Sequence, residues 1–166
     1  MRSCIIVCLS VVVCLLAPLC AGEPAPDLSK FPKLQGKVVQ TLGNFNVFVP
    51  PKAGVTFQLD LKEAPKLKAL FFDEQRRRPD AAEAIPSVTL PAPLAVEAVR
   101  YNPKGMFRNL RLVSKKASWS VTIDVVQEDP EDPKLRVWVV TQQGDRVMAV
   151  ALLECEADGA FPNRPK

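Results

Sequence analysis

The chain contains no histidine among its 166 residues. That absence removes the general base of Ser-His-Asp and Cys-His catalytic units, and it leaves no imidazole ligand for zinc, copper or haem. Cysteine is as scarce where it would matter. Of five cysteines, Cys4, Cys8, Cys14 and Cys20 fall within the first twenty residues, and only Cys155 lies beyond them. The seven glycines are scattered and form no phosphate-binding loop, and no Asn-X-Ser/Thr sequon is present. These gaps give an expectation of no catalytic residues, no cofactor and no metal, and hence of a protein that is not an enzyme.

What is present is most legible at the N-terminus. Met1-Arg2 is a short positive start, residues 4–19 are apolar apart from Ser10, and Cys20-Ala21-Gly22 offers small residues just before the polar stretch Glu23-Pro24-Ala25-Pro26. This order is that of a secretory signal peptide, predicting removal of residues 1–22 and export to a secreted or periplasmic location with Glu23 as the new N-terminus. An uncleaved anchor needs about 17–25 apolar residues, which the run only just reaches. A lipoprotein acylated at Cys20 needs a leucine three positions before the cysteine and a small residue just before it; Ala17 and Leu19 stand there instead. After cleavage Cys155 is alone, so no intramolecular disulfide is available. It reads as a small apolar strand residue, the other reading being an intermolecular disulfide.

Lysine and arginine number 22 against 18 acids, a net charge of +4. This is too small for a dedicated nucleic-acid binder. The distribution is less even than the total. Between positions 100 and 116 stand Arg100, Lys104, Arg108, Arg111, Lys115 and Lys116 with no acid among them, whereas positions 124–132 hold five acids and no cation. The six cations are the candidate surface for an anionic partner, with Tyr101 and Phe107 as neighbouring rings. The acidic loop Glu128-Asp129-Pro130-Glu131-Asp132-Pro133 lacks the glycine and regular spacing of a calcium loop and reads as a solubilising turn. Glu154 and Glu156 share one strand face; a pair of carboxylates is the minimum for glycoside hydrolysis, but nothing else marks them.

From residue 23 to 35 the sequence reads as a Pro-containing tether, and from 36 to 158 as strands. Lys37 to Leu42 and Phe45 to Val49 flank Gly43-Asn44, a hairpin signal, and Val55, Phe57, Leu59 and Leu61 alternate with polar residues. Leu67 to Phe72 reads as another strand. Residues 73–93 are irregular, with Arg76-Arg77-Arg78-Pro79 as a solvated loop and Asp80 to Ala84 as a candidate short helix. Leu94 to Tyr101, the turn Asn102-Pro103-Lys104-Gly105, Met106 to Val113, Ser118 to Val126, Leu135 to Thr141 and Arg146 to Cys155 complete the pattern. In the strand from Ser118, Trp119, Val121, Ile123 and Val125 are expected to be buried. The last two runs are apolar on both faces, as central strands are.

Strands with turn signals every 8–12 residues predict an all-β domain: a single antiparallel β-sandwich of about 7–9 short strands, immunoglobulin-like or related, though without that family's cysteine pair. Residues 159–166 read as a flexible tail. The function expected from these features is that of an exported, non-catalytic binding or cell-envelope structural module. Its partner would be an anionic polymer, an envelope surface or another protein. The alternatives are a carrier of an apolar ligand between two sheets and a His-free, carboxylate-dependent hydrolase.

Overall fold

The structure, a computed structural model, describes residues 26–43, 55–74, 87–130 and 132–165. It is all-β and antiparallel. Nine strands follow one another: β1 (Lys33–Gly43), β2 (Val55–Asp60), β3 (Ala69–Glu74), β4 (Ser87–Thr89), β5 (Ala95–Tyr101), β6 (Phe107–Lys116), β7 (Trp119–Val126), β8 (Lys134–Gln143) and β9 (Arg146–Ala157). Their order across the sheet is β4-β3-β2-β1-β9-β8-β7-β6-β5. Every neighbour is therefore a sequence neighbour except β1 and β9, whose pairing joins the two meanders into one sheet.

Chain length forces this sheet to curl. Nine strands at about 4.8 Å spacing would place β4 and β5 some 38 Å apart if the sheet were flat. Residues 90–94, which connect them, reach at most about 20 Å, so the two edges must swing towards each other. Bulges assist by bending individual strands. The register slips between Val38 and Gln40 in β1, between Val96 and Ala98 in β5, and between Thr141 and Gln142 in β8. The connector is itself anchored. Leu90 and Leu94 are buried, and the Ala92 amide donates to the Ser114 hydroxyl (2.9 Å), which donates back to the Ala92 carbonyl (2.5 Å). Ser114 is thus a buried polar side chain whose hydrogen bonds are satisfied.

One face of the sheet carries the core. Phe57, Leu70 and Phe72 on one limb, and Leu110, Leu112, Ile123, Val137, Ala151 and Leu153 on the other, are all buried. Alternation places them there, because residues two apart share a face and register aligns those faces across strands. The expected alternation of β2 holds for Phe57, Leu59 and Leu61, although Thr56 on the opposite parity is also buried.

Several boundaries differ from those read in the sequence. The domain begins before residue 36: Phe31 and Leu34 are buried and β1 starts at Lys33, so the end of the supposed tether is strand. β1 ends at Gly43, which pairs with Ala149, and Asn44 of the expected turn lies outside the described residues. The partner run Phe45 to Val49, the Arg76–Pro79 loop and the candidate helix at Asp80 to Ala84 lie outside the described residues, as do residues 1–22. β6 continues through Lys115 and Lys116, leaving Ala117-Ser118 as the turn. The C-terminal segment is held at two points. Phe161 stacks on Phe107 with centroids 4.0 Å apart and rings 8° from parallel, and the Arg164 amide donates to the Gly105 carbonyl (2.8 Å). An aromatic residue and a hydrogen-bonded backbone turn what reads as a flexible tail into a docked strap.

Trp119 is the main correction to the expected core. It has the parity of Val121, Ile123 and Val125, yet it is 43 % exposed, whereas those three are buried. The reason is position along the strand. Trp119 opens β7 opposite Lys116 and Gln143, one step beyond the last core layer formed by Ser114, Val121 and Thr141.

Candidate anionic-partner surface

The β5–β6 hairpin that carries the six cations is built around Asn102. Its side-chain oxygen accepts the amides of Lys104 and Met106 (2.9 Å each), and its carbonyl accepts the amide of Gly105. Gly105 sits at φ 81°, a left-handed conformation that glycine adopts without steric cost. Strand geometry then separates the cations. Arg108 and Lys115 stand seven positions apart in β6, about 23 Å of extended chain.

Arg100, Lys104 and Arg108 therefore lie at the turn end, Arg111 in the middle, and Lys115 with Lys116 at the opposite end. They do not form one patch. The middle cation is also neutralised: Arg111 donates from Nε to Oδ1 of Asp124 (2.8 Å) and from Nη2 to Oδ2 (2.9 Å), with Glu97 3.8 Å away. The hydrogen bonds and charge of Asp124, and then Glu97, push the Arg111 pKa further above its usual value. The Arg108 guanidinium donates to the Glu128 carbonyl. Arg100, Lys104, Lys115 and Lys116 form no ion pair with a described residue.

The neighbouring rings divide between roles. Phe107 is buried and forms an aromatic cluster with Phe161 and Phe31, whose ring meets it edge-on at 6.2 Å, so it belongs to the core rather than to a stacking platform. Tyr101 is half-buried opposite Phe107 in the register.

The acidic loop is organised by its own backbone: the Asp132 amide donates to the Asp129 carbonyl, and the Asp132 carboxylate accepts the Lys134 amide. Glu128 pairs with Arg136 at 2.9 Å. Among the described residues no group of three or more cysteine, aspartate or glutamate side chains is arranged to hold a metal. Glu154 and Glu156 point outward from β9, Glu154 between Lys37 and Arg136 and Glu156 between Gln35 and Lys134. They line an open recess of about 570 Å³ together with Lys37, Lys134 and Asp158. A second recess, about 310 Å³ and also open to solvent, lies between the acidic loop and the C-terminal strap at Phe107, Pro130, Pro133 and Phe161.

Cys155 faces the core beside Gly36 and Leu135. Burial pushes its thiol pKa up to about 12, so the reactive thiolate is scarce near neutrality. A thiol-specific chromogenic reagent at pH 8 is expected to leave Cys155 unlabelled in the native protein and to label it in denaturant. Rapid labelling of Cys155 in the folded protein would contradict this placement and reopen the intermolecular disulfide.

Register also brings in a cation that position along the chain hides. Lys116 pairs with Trp119, Trp119 with Gln143, and Gln143 with Arg146, so one transverse row joins two hairpin turns. The turns touch directly, the Gly144 amide donating to the Ser118 carbonyl at 2.7 Å. Arg146 lies thirty residues from Lys116 in sequence; the only local signal was that both flank hairpin turns. Compared with known protein families, curated proteins and solved structures, the chain matches none.

Proposed function

We propose that this chain is an exported, non-catalytic binding module of the β-sandwich kind, the two limbs of the curled sheet serving as its facing layers, and that its partner is anionic. The apolar N-terminal segment addresses it for secretion or to the periplasm, with cleavage before Glu23. Anionic polymers and envelope surfaces are the partners this reading favours. The observation that carries it is the uncompensated charge on the β5–β6–β7 side. Arg100, Lys104, Lys115 and Lys116 have no acidic partner among the described residues, whereas Arg111 and Arg136 do. Exposed cations without an acidic partner remain available to an incoming anion.

Salt dependence tests this reading. Retention on an immobilised sulfated polysaccharide is expected to fall steeply between about 50 and 200 mM salt, because exposed charges are screened over about 10 Å at 0.1 M. Retention that is absent at low salt, or indifferent to salt, would contradict an anionic partner.

A further inference from the structure

We infer that the end of the sheet formed by the 117–118 and 144–145 turns is a membrane-docking tip that takes a bilayer carrying anionic headgroups. This rests on the reading above and narrows it to one end of the fold and one chemistry. Two independent features meet there. The first is exposed apolar surface: Trp119 is 43 % exposed and Val147 50 %. They come from β7 and β9. Register places Val147 opposite Gln142, in the row next to that of Trp119 and Gln143.

The second feature is charge. Lys115, Lys116 and Arg146 are exposed at the same turns, with Asp145 the one acid on them, and none of the three cations pairs with a described residue. Lys116 and Arg146 stand on either side of Trp119 in its transverse row, three strand spacings apart, or about 14 Å.

This combination suits a headgroup layer better than a soluble polyanion. A polyanion needs only the cations and leaves Trp119 and Val147 in water. A bilayer uses both: an indole sits favourably at the headgroup level with its apolar body inward, aliphatic side chains enter the acyl boundary, and each cation near an anionic surface contributes about fivefold in partitioning. The interface requires no helix, and among the described residues no helix is long and apolar enough to cross a membrane.

The experiment uses chain recovered from the secreted fraction of cells expressing the full sequence. Any retained N-terminal segment is then common to all variants, and differences between them report the turns. Sedimentation is measured with vesicles of phosphatidylcholine alone and with one-third phosphatidylglycerol, and binding to a soluble sulfated polysaccharide is measured in parallel. Expected are binding to the vesicles that carry phosphatidylglycerol and not to those of phosphatidylcholine alone, a roughly 25-fold loss for Lys115→Gln with Lys116→Gln, and a roughly tenfold loss for Trp119→Ala. In a Trp138→Phe background, which leaves Trp119 as the single indole, emission should shift to shorter wavelength on vesicle addition. Melting curves of each variant confirm that it is folded. Binding to the polysaccharide but not to vesicles would overturn the membrane tip while leaving an anionic-partner module standing. Vesicle binding with unchanged emission, and with Trp119→Ala at full affinity, would reduce it to charge adsorption and overturn it too. Failure to bind either would remove both readings.

Discussion

Gly36→Ala is expected to destabilise the protein by about 3 kcal/mol or more, although it adds a single methyl group. Gly36 sits where β1 crosses the centre of the sheet, paired with Phe57 on one side and Cys155 on the other. A β-carbon there would run into the Glu154 carbonyl oxygen, and would stand 2.5 Å from the Cys155 sulfur and 2.7 Å from the Cys155 Cα. Two of those obstacles are backbone of β9 and cannot rotate away. Relief requires β1 and β9 to separate, which weakens the ladder that joins the two meanders among the described residues. Overpacking alone costs about 1–3 kcal/mol, and damage to that ladder adds to it. The measurement is a urea or thermal melt, with a midpoint about 10 °C lower expected for a domain of this size. A variant within about 0.5 kcal/mol of the parent would show that β1 and β9 are not in close contact at Gly36.

Phe57→Ala is expected to cost about 3–5 kcal/mol, the range for truncating a buried aromatic residue. Phe57 has no exposed surface, pairs in register with Phe72, and meets that ring at 5.6 Å between centroids. It belongs to the buried cluster that also holds Leu59 of β2 and Leu70 and Phe72 of β3. Trp119→Ala serves as the comparison. Trp119 is larger but 43 % exposed at the strand start, so its loss should cost less than about 1 kcal/mol. Denaturant melts of the two variants side by side decide the matter. If Trp119→Ala proved the more damaging, the core layer would have to be redrawn to include the 117–118 and 144–145 turns.

The contrast between these residues shows what sequence pattern conveys and what it omits. Alternation reports which face a residue shares, and it did so for Val121, Ile123 and Val125 and for Phe57, Leu59 and Leu61. It carries no information on how far along the strand the core extends, and that decides the fate of Trp119. The antiparallel all-β class was legible for the same reason, from local periodicity and turn residues. The β1–β9 pairing was not, because it joins residues more than a hundred positions apart. The docking of Phe161 was hidden by its setting among Gly159, Pro162 and Asn163, which read as a frayed end.

The candidate surface follows the same division. The six cations from Arg100 to Lys116 form a cluster in sequence, but an extended strand disperses what a short segment concentrates. Asp124, the partner of Arg111, comes from the adjacent strand of the sheet. Arg146 reaches Lys116 only through two further ladders. The local sequence signals the second relation only in that both residues flank hairpin turns, and the first not at all.

The most direct test of the account is whether anion binding depends on where the positive charge lies or only on its total. Lys104→Glu, Lys115→Glu and Lys116→Glu together lower the net charge by the same amount as Arg76→Glu, Arg77→Glu and Arg78→Glu. Lys104, Lys115 and Lys116 are exposed, so their reversal should leave the fold within about 0.5 kcal/mol per site. Affinity for an anionic surface, measured at one fixed low salt concentration, is predicted to fall at least tenfold for the first triple variant and by less than threefold for the second. Equal losses from the two would show that the protein senses only overall charge, and would contradict the assignment of a binding surface to these strands.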